Sequence, residues 1–228
     1  MRTTSIRIVT TAGLLAASLT GCTAGTGTAA PSGSVTPVSA SSSSARVAGI
    51  PAAALLQPAD VHDARPESLE EGEFAHVRPL RPCRGDRYPS DATRTDAVAK
   101  RYVVPGEQGG STPSVIVQFV GRHTSGGAAD QVRDILAALD RCPGGLGKDE
   151  YRWDVLESSA ETTLVRIGQR FSYADEEPAT VNHYAALTRV GDAVIVVADL
   201  GWENMDGSEP LVRELITKAR ERAAAIPG

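Results

Sequence analysis

The sequence has few aromatic residues, only three cysteines and no long apolar segment. Phe, Trp and Tyr supply ten of its 228 residues. No stretch of 18 or more apolar residues occurs, so the sequence predicts no membrane-spanning helix after processing. The G-x-S-x-G and S-x-x-K patterns of serine hydrolases are missing, as are the Gly-rich loop, H-R-D and D-F-G segments of protein kinases. The sequence therefore favours a protein that is not an enzyme, and it predicts no catalytic residue.

Basic residues are also too few for nucleic-acid binding. Arg2, Arg7 and Arg46 precede the first segment that could pack, so residues 50–228 carry 20 basic and 28 acidic side chains, a net charge of −8. Proteins that bind nucleic acid depend on clustered Lys and Arg to neutralise phosphates. We therefore expect no nucleic-acid partner.

The N-terminus carries the features of an export signal. Arg2 and Arg7 precede the mostly apolar run 8–19, which ends in Leu19-Thr20-Gly21-Cys22. This tetrapeptide resembles the lipobox of bacterial lipoproteins, which implies that residues 1–21 are removed and that Cys22 is acylated at the outer face of the cytoplasmic membrane. Attachment by two or three acyl chains would be effectively permanent. The alternative is a plain signal peptide with an incidental cysteine.

Removal of Cys22 leaves two thiols, Cys83 and Cys142. In an oxidising compartment an even number of cysteines usually forms bridges, so we predict a Cys83–Cys142 disulfide. A redox or metal pair is the weaker alternative, because the two cysteines are far apart in sequence and no C-x-x-C motif occurs.

The exported chain divides into a tether and one domain. Residues 22–49 begin at Cys22 and then consist almost wholly of Thr, Ala, Gly, Ser, Pro and Val, with one charge and no aromatic residue. Such a composition cannot bury enough apolar surface to offset the entropy of ordering, so we predict a disordered tether. Residues 50–228 form the predicted globular domain.

Hydrophobic patterns in residues 50–228 predict an α+β fold, with a mainly antiparallel sheet and helices packed on it. Ser125 is the expected N-cap of a helix ending at Arg141 that places Cys142 on its buried stripe, and Ser208 is the expected cap of a terminal helix. A short helix is expected at 51–57. The run 193–200 is apolar on both faces and should form a central strand. The predicted strands are 97–104, 114–123, 151–157, 163–172, 181–190 and 193–200.

Several short segments appear in a recognisable order. The lipobox and tether are followed by Leu55-Leu56, by Pro58-Ala59-Asp60, by the widely spaced cysteine pair and by the hairpin segment 189–196. In this layout, residues 50–228 resemble the PknH-like extracellular sensor domains of actinobacterial lipoproteins. The resemblance implies a curved antiparallel sheet with helices on one side, a ligand cleft and no established enzymatic activity. Members attached to receptor kinases carry two disulfides, whereas this chain can form one.

Sequence spacing predicts no metal and no cofactor. The four histidines are dispersed, and none pairs with another at the three-residue or four-residue spacing that places ligands on one helical face. The segment 144–148 has the wrong spacing for a phosphate loop, and we expect it to be the exit from a helix.

Aromatic and basic residues in the second half of the domain suggest a ligand cleft. They lie on predicted strands, where a face that mixes arginines with apolar side chains would suit an amphipathic anionic ligand. Core packing is the ordinary alternative. The candidate cleft residues are Tyr151, Trp153, Arg166, Arg170 and Tyr184.

Three functions remain open on the sequence. The leading hypothesis is a lipid-anchored module that binds or senses an envelope ligand. An adaptor for a membrane protein complex is the second hypothesis, and an exposed apolar patch would distinguish it. An envelope hydrolase is the third, and it would need a carboxylate pair such as Glu157 and Asp175.

Overall fold

A computed structural model describes residues 49–85, 87–106, 112–146, 151–172 and 177–227. The predicted signal peptide, Cys22 and the tether up to residue 48 lie outside the described residues and stay predictions. Among the residues described, no helix is both long and apolar enough to cross a membrane.

Seven strands form one antiparallel sheet in the order β1-β2-β3-β7-β6-β5-β4. The predicted α+β class is confirmed, and each predicted strand is present with its ends shifted by no more than three residues. The strands are β1 Glu67–Ser68, β2 Arg94–Val104, β3 Ser114–His123, β4 Tyr151–Ser158, β5 Thr162–Phe171, β6 Ala179–Val190 and β7 Ala193–Asp199.

Strand β7 is the centre of the sheet, as its sequence predicted. It pairs with β3 on one side and with β6 on the other, and all seven of its residues are buried. Gly191 takes a positive φ of 55° in the two-residue turn that joins β6 to β7. A strand without an exposed face requires a covering layer on each side of the sheet.

The two long helices supply these layers from opposite sides. Helix α1, Gly127–Arg141, packs with Val117, Val194 and Val196 in one core. Helix α2, Glu209–Ala223, packs with Ile116, Ile195 and Val197 in the other. The resemblance implied helices on one side of the sheet, and this expectation is wrong. Successive residues of β7 alternate between two apolar cores, and each core includes one of the two helices.

The mostly irregular segment before β2, described at residues 49–85 and 87–93, contributes to both cores. Leu56 belongs to the α2 core, and Leu80 belongs to the α1 core. Inside the α2 core, the buried Gln118 accepts a hydrogen bond from the backbone N–H of Leu56 at 2.9 Å and another from the Tyr102 hydroxyl at 3.2 Å. These bonds tie the segment to the sheet.

Three local predictions are corrected. The expected helix at 51–57 is two 3₁₀ turns, Ala52–Ala54 and Pro58–Asp60, because Pro58 begins the second turn instead of ending a helix. Helix α1 has Gly126 as its N-cap in place of Ser125, in a left-handed conformation with φ of 82°. Cys142 is the half-exposed C-cap of α1 and does not lie on its buried stripe. The expected cap at Ser208 is confirmed, since its side chain accepts from the backbone N–H of Leu211.

A disulfide joins Cys83 to Cys142, as predicted, with the two Cα atoms 5.3 Å apart. It connects the irregular segment to the C-terminal end of α1, and the Cys83 side chain packs against the α1 core. The bridge therefore fixes the segment that carries Val77 and Leu80 over one face of the sheet.

Removal of the disulfide should lower the free energy of unfolding. The bridge spans 59 residues, and a loop of this size corresponds to about 4 kcal/mol in the loop-entropy model. We expect Cys83→Ala, Cys142→Ala and the double variant each to lose about 2–4 kcal/mol in urea unfolding. The three losses should be equal, because either substitution removes the same link. A double variant that loses the sum of the two single losses would contradict this account.

Candidate functional site

A cavity of about 750 Å³ lies at one end of the sheet, on the face that carries α1. It forms where β3, β4 and β6 begin and where β5 and β7 end. We call it the strand-end cavity. Its lining residues are Phe74, His76, Val115, Tyr151, Gln169, Phe171, Ser172, Val181, His183, Leu200, Gly201 and Glu203. Its volume falls within the range of about 300–1,000 Å³ that is common for ligand pockets.

Strand register explains why the wall of the cavity is continuous. Tyr151 lies opposite Gln169, which lies opposite Val181, across β4, β5 and β6. Directly opposed residues of antiparallel strands point to the same face, so these three side chains form one row. The next row toward the centre holds Trp153, Ile167 and His183.

Two histidines that line this cavity each have a buried ring nitrogen without a hydrogen-bond partner among the described residues. His76 Nε2 and His183 Nδ1 are buried, and no atom in the part of the chain that the structure describes bonds to either. His183 is only 7% exposed. A buried polar atom without a partner costs about 1–3 kcal/mol, so native proteins rarely keep one without water, a ligand or a catalytic role.

Other buried polar atoms without partners occur, but they belong to side chains that make a hydrogen bond through another atom. Gln118 is one of them, since its Nε2 is unpartnered while its Oε1 accepts two bonds. Gln131 Oε1 accepts from Arg94 Nη2, and Arg94 Nη2 also contacts Asp91. His123 has an unpartnered Nε2, and its Nδ1 lies 2.9 Å from Thr93 Oγ1. His76 and His183 differ from these residues, since neither ring makes a hydrogen bond to any described residue.

Burial keeps both cavity imidazoles neutral. Desolvation, with a smaller contribution from the repulsion of His183, lowers the pKa of His76 from 6.5 to about 4. Desolvation also lowers the pKa of His183 to about 4, against a smaller opposing effect of Asp206. Both rings line the same cavity, so a second proton there would be especially costly.

An aromatic cluster fixes the position of His76. Its ring stacks on Tyr151, with centroids 4.7 Å apart and planes inclined by 18°, and it meets Trp153 edge-on at 6.4 Å. Burial raises the pKa of Tyr151, against an opposing effect of Arg84. The stacked pair therefore presents a neutral, mostly apolar surface to the cavity.

The buried carboxyl group of Asp199 holds the opposite wall. Its Oδ1 accepts from the backbone N–H of Gly201 at 2.8 Å and from the Ser114 hydroxyl, and its Oδ2 accepts from the N–H of Ser208 at 2.9 Å. Desolvation raises the pKa of Asp199, although all three bonds oppose this effect. Because a Cβ on Gly201 would lie 2.0 Å from the Met205 carbonyl oxygen, only glycine fits there.

The structure does not bring the five predicted cleft residues together. Tyr151 and Trp153 lie on the α1 face, in or beside the strand-end cavity. Arg166 and Tyr184 oppose each other on the α2 face, and Arg170 has the same parity on β5. Arg166 and Arg170 are separated by an even number of residues, so their side chains lie on the same face of β5. Gln169, which is paired with Tyr151, lies on the other face.

Local contacts account for the predicted residues outside the cavity. Arg166 Nη2 lies 3.0 Å from Asp154 Oδ2, and Arg170 Nη1 donates to the Leu146 carbonyl at 3.2 Å. Tyr184 packs against the α2 core. Trp153 is 3% exposed and belongs to the α1 core, so core packing is its main role.

Sequence spacing missed the histidine pair, because His76 and His183 are 107 positions apart and are brought to one cavity only by the tertiary fold. His183 did carry one signal, since it occupies an inward position on a strand where an apolar residue is the norm. His76 carried none, as it lies in the irregular segment.

Neutral imidazoles are also metal ligands, but the described residues contain no group of three or more His, Cys, Asp or Glu that could hold a metal ion. The volume of the strand-end cavity also suits a molecule better than a single ion. The structure does not test the hydrolase pair. Glu157 forms a 2.7 Å ion pair with Arg213, and Asp175 lies outside the described residues.

Comparison with known proteins identifies one structural similarity and no family. No protein-family model matches the chain, and no curated protein matches it. The fold is similar to the extracellular domain of PknH from Mycobacterium tuberculosis, with 18% identity and a TM-score of 0.47 over 74% of this chain and 94% of that one. Membership of a sensor-domain family stays a prediction, and no residue role is transferred.

Acidification should destabilise the protein through the two cavity histidines. Both have a lowered pKa in the folded state, so between pH 6.5 and about 4 the unfolded chain binds more protons than the native one. The free energy of unfolding therefore decreases as the pH falls below 6.5. The decrease is up to about 1.4 kcal/mol per pH unit for each histidine. We expect urea unfolding to show a shallower pH dependence for His76→Gln/His183→Gln.

The matched control is His62→Asn, at an exposed histidine outside the cavity. Its pH dependence should equal that of the wild type. If the double variant also keeps the wild-type slope between pH 7 and pH 4, the cavity histidines are not the groups that titrate.

Proposed function

We propose that this chain is a lipid-anchored extracytoplasmic protein whose domain binds a small envelope ligand in the strand-end cavity. In this proposal residues 1–21 are the signal peptide, residues 22–49 are the acylated Cys22 and the tether, and residues 50–228 are the binding domain. The domain is held at the outer face of the cytoplasmic membrane. We assign it no catalytic role.

The observation that carries the binding role is the cavity of about 750 Å³ itself, which is lined by aromatic and aliphatic side chains and by two histidines that burial keeps neutral. A pocket of this size, with a mainly apolar wall and a few polar side chains, is typical of small-molecule sites. Neither histidine ring bonds to a described residue, so neither serves to tie one part of the chain to another.

Two further features support the location. Leu19-Thr20-Gly21-Cys22 stands at the end of a charged and apolar leader. The disulfide between Cys83 and Cys142 is typical of oxidising compartments outside the cytoplasm. Both features are independent of the cavity, so the proposed location does not depend on the proposed ligand.

An adaptor role is the second candidate, and one observation favours it. Val155 and Leu156 are 47% and 40% exposed and adjoin each other on β4, at the edge of the sheet. Adjacent exposed apolar residues on an edge strand can serve as a contact for another protein. Two side chains make a small patch, whereas twelve described residues line the cavity, so ligand binding stays the leading proposal.

Acylation at Cys22 can be tested directly. We expect the wild-type chain to incorporate labelled palmitate in its native host and Cys22→Ala to incorporate none, because the thiol is the proposed attachment point. Thr23→Ala is the control and should keep the label. Intact-mass measurement of the membrane fraction checks the result, and a labelled Cys22→Ala protein would refute the anchor.

Ligand binding can be tested by native mass spectrometry. The sample is the exported chain, residues 22–228, with Cys22→Ser so that no acyl chain of its own competes for the cavity. After exposure to an extract of its own cell envelope, this protein should retain a bound small molecule. Val115→Trp should lose that molecule, because the indole would fill part of the cavity.

The control for this experiment is Val155→Trp, which places the same side chain at an exposed position on β4. It should bind as the unsubstituted protein does. If a folded, oxidised protein retains nothing from the extract in repeated trials, the binding proposal fails and the adaptor role becomes the better one.

A further inference from the structure

The disulfide between Cys83 and Cys142 can be reached from solvent. Both cysteines are half-exposed, and both line a surface depression of about 240 Å³. We call it the bridge depression, and its other lining residues are Pro82, Arg84, Gly144 and Tyr151. A disulfide is reduced by a thiolate that reaches one of its sulfur atoms. This bridge is therefore open to attack, unlike a disulfide enclosed in a core.

The two sulfur atoms lie in different electrostatic surroundings. Arg141 Nη2 lies 3.4 Å from Cys83 Sγ. Cys142 is the C-cap of α1, where the last carbonyl groups of a helix carry a partial charge of about −0.5. The Ala138 carbonyl oxygen also lies 3.7 Å from Cys83 Sγ, but it already accepts the backbone N–H of Cys142 at 2.8 Å. A full positive charge outweighs this partial negative one, so Cys83 is the better thiolate.

The lining of the bridge depression agrees with this assignment. Among its described lining residues, Arg84 is the one with a formal charge, and that charge is also positive. An electropositive and partly exposed setting is typical of reactive cysteines, whereas structural cysteines are usually buried in apolar surroundings.

This asymmetry gives thiol–disulfide exchange a direction. One thiolate of a dithiol reductant attacks Cys142 Sγ, the S–S bond of the bridge breaks, and its electron pair leaves on Cys83 Sγ. The second thiol of the reductant loses its proton and attacks the reductant's own first sulfur, which releases Cys142. Two electrons and two protons pass from the reductant to the two cysteines, and the reductant ends as a disulfide.

Tyr151 connects the bridge depression to the strand-end cavity. It lines both, and its ring stacks on His76 with the centroids 4.7 Å apart. Phe74 and His76 also line the cavity, and Cys83 follows His76 by seven positions in the same irregular segment. The bridge therefore ties this part of the cavity wall to the end of α1.

The rest of the segment has contacts that do not depend on the bridge. Val77 and Leu80 are fully buried in the α1 core, and the Tyr88 hydroxyl donates to the Leu80 carbonyl at 2.7 Å. The His76 ring has no hydrogen bond to a described residue and is held by its ring contacts. Opening of the bridge should therefore loosen the wall at His76 while Leu80 stays in place.

We propose that the Cys83–Cys142 bridge is a site of thiol–disulfide exchange with a dithiol reductant of the envelope, and that its reduction loosens the strand-end cavity at His76. The effect on a ligand rests on the proposed binding function. The exchange reaction and the change at His76 do not depend on that function.

The direction of exchange is tested by trapping the first mixed disulfide. The sample is the exported chain, residues 22–228, with Cys22→Ser, and glutathione is the probe. After acid quenching, peptide mapping should find glutathione mainly on Cys142. Arg141→Gln should slow the reaction about fivefold, because the leaving thiolate loses its cation.

The matched control for this experiment is Arg133→Gln. Arg133 lies on the same helix, its side chain is 72% exposed, and it pairs with Asp130. This variant should react at the wild-type rate. Glutathione found mainly on Cys83, or an unchanged rate in Arg141→Gln, would overturn the exchange site.

The change at His76 is followed by NMR titration of the histidine rings, with and without dithiothreitol. In the reduced chain the pKa of His76 should rise from about 4 toward 6.5, because the loosened ring is hydrated. His123, at the other end of β3, is the internal control and should titrate identically in both forms. Circular dichroism reports whether the reduced chain is folded. An unchanged His76, or a chain that unfolds on reduction, would show that the bridge is only structural.

The envelope extract then separates this inference from the proposed function. The oxidised chain should retain a small molecule, the reduced chain should retain less, and reoxidation should restore retention. If the oxidised chain retains nothing, the binding function fails and the first two experiments still decide the exchange site. Equal retention by both forms supports binding and contradicts its control by the bridge.

Discussion

Burial of β7 on both faces is the constraint on which the rest of this structure depends. All of its residues from Ala193 to Asp199 are inaccessible, and they alternate between two separate apolar cores. Burial of apolar surface stabilises a fold by about 25 cal/mol per Å² removed from water, so neither face of the sheet can remain open at its centre. Helix α1 therefore covers one face and α2 the other, and the segment before β2 contributes to both.

This constraint also explains where a binding site can lie. Because both faces are occupied at the centre of the sheet, a site of this size lies away from that centre, at the ends of the strands. The strand-end cavity is such a place, and Asp199 is the residue that joins it to the core. As the last residue of β7, Asp199 anchors the loop through Gly201 and Ser208 that forms one wall of the cavity and leads into α2.

The sequence predicted the parts of the fold that depend on local patterns. The unbroken apolar run of β7, the two-residue turn at Gly191 and the cap at Ser208 are readable within a few residues. The start of α1 could not be predicted from the sequence, because it depends on a close approach to Thr93. A Cβ on Gly127 would lie 2.2 Å from Thr93 Oγ1. The site was predicted only in part, since Tyr151 was identified among the aromatic residues of the predicted strands, whereas His76 comes from an irregular segment that the tertiary fold brings to the same cavity as His183.

Stability alone does not account for the two cavity histidines. In the α2 core, Gln118 Oε1 accepts two hydrogen bonds and fixes Leu56 and Tyr102, although its Nε2 has no partner among the described residues. His76 and His183 make no hydrogen bond to the described residues through their rings, and burial lowers the pKa of each to about 4. Neither ring therefore joins two parts of the chain as Gln118 does. Two neutral imidazoles that line a cavity of about 750 Å³ and fix no other element are best explained by contact with a molecule outside the chain.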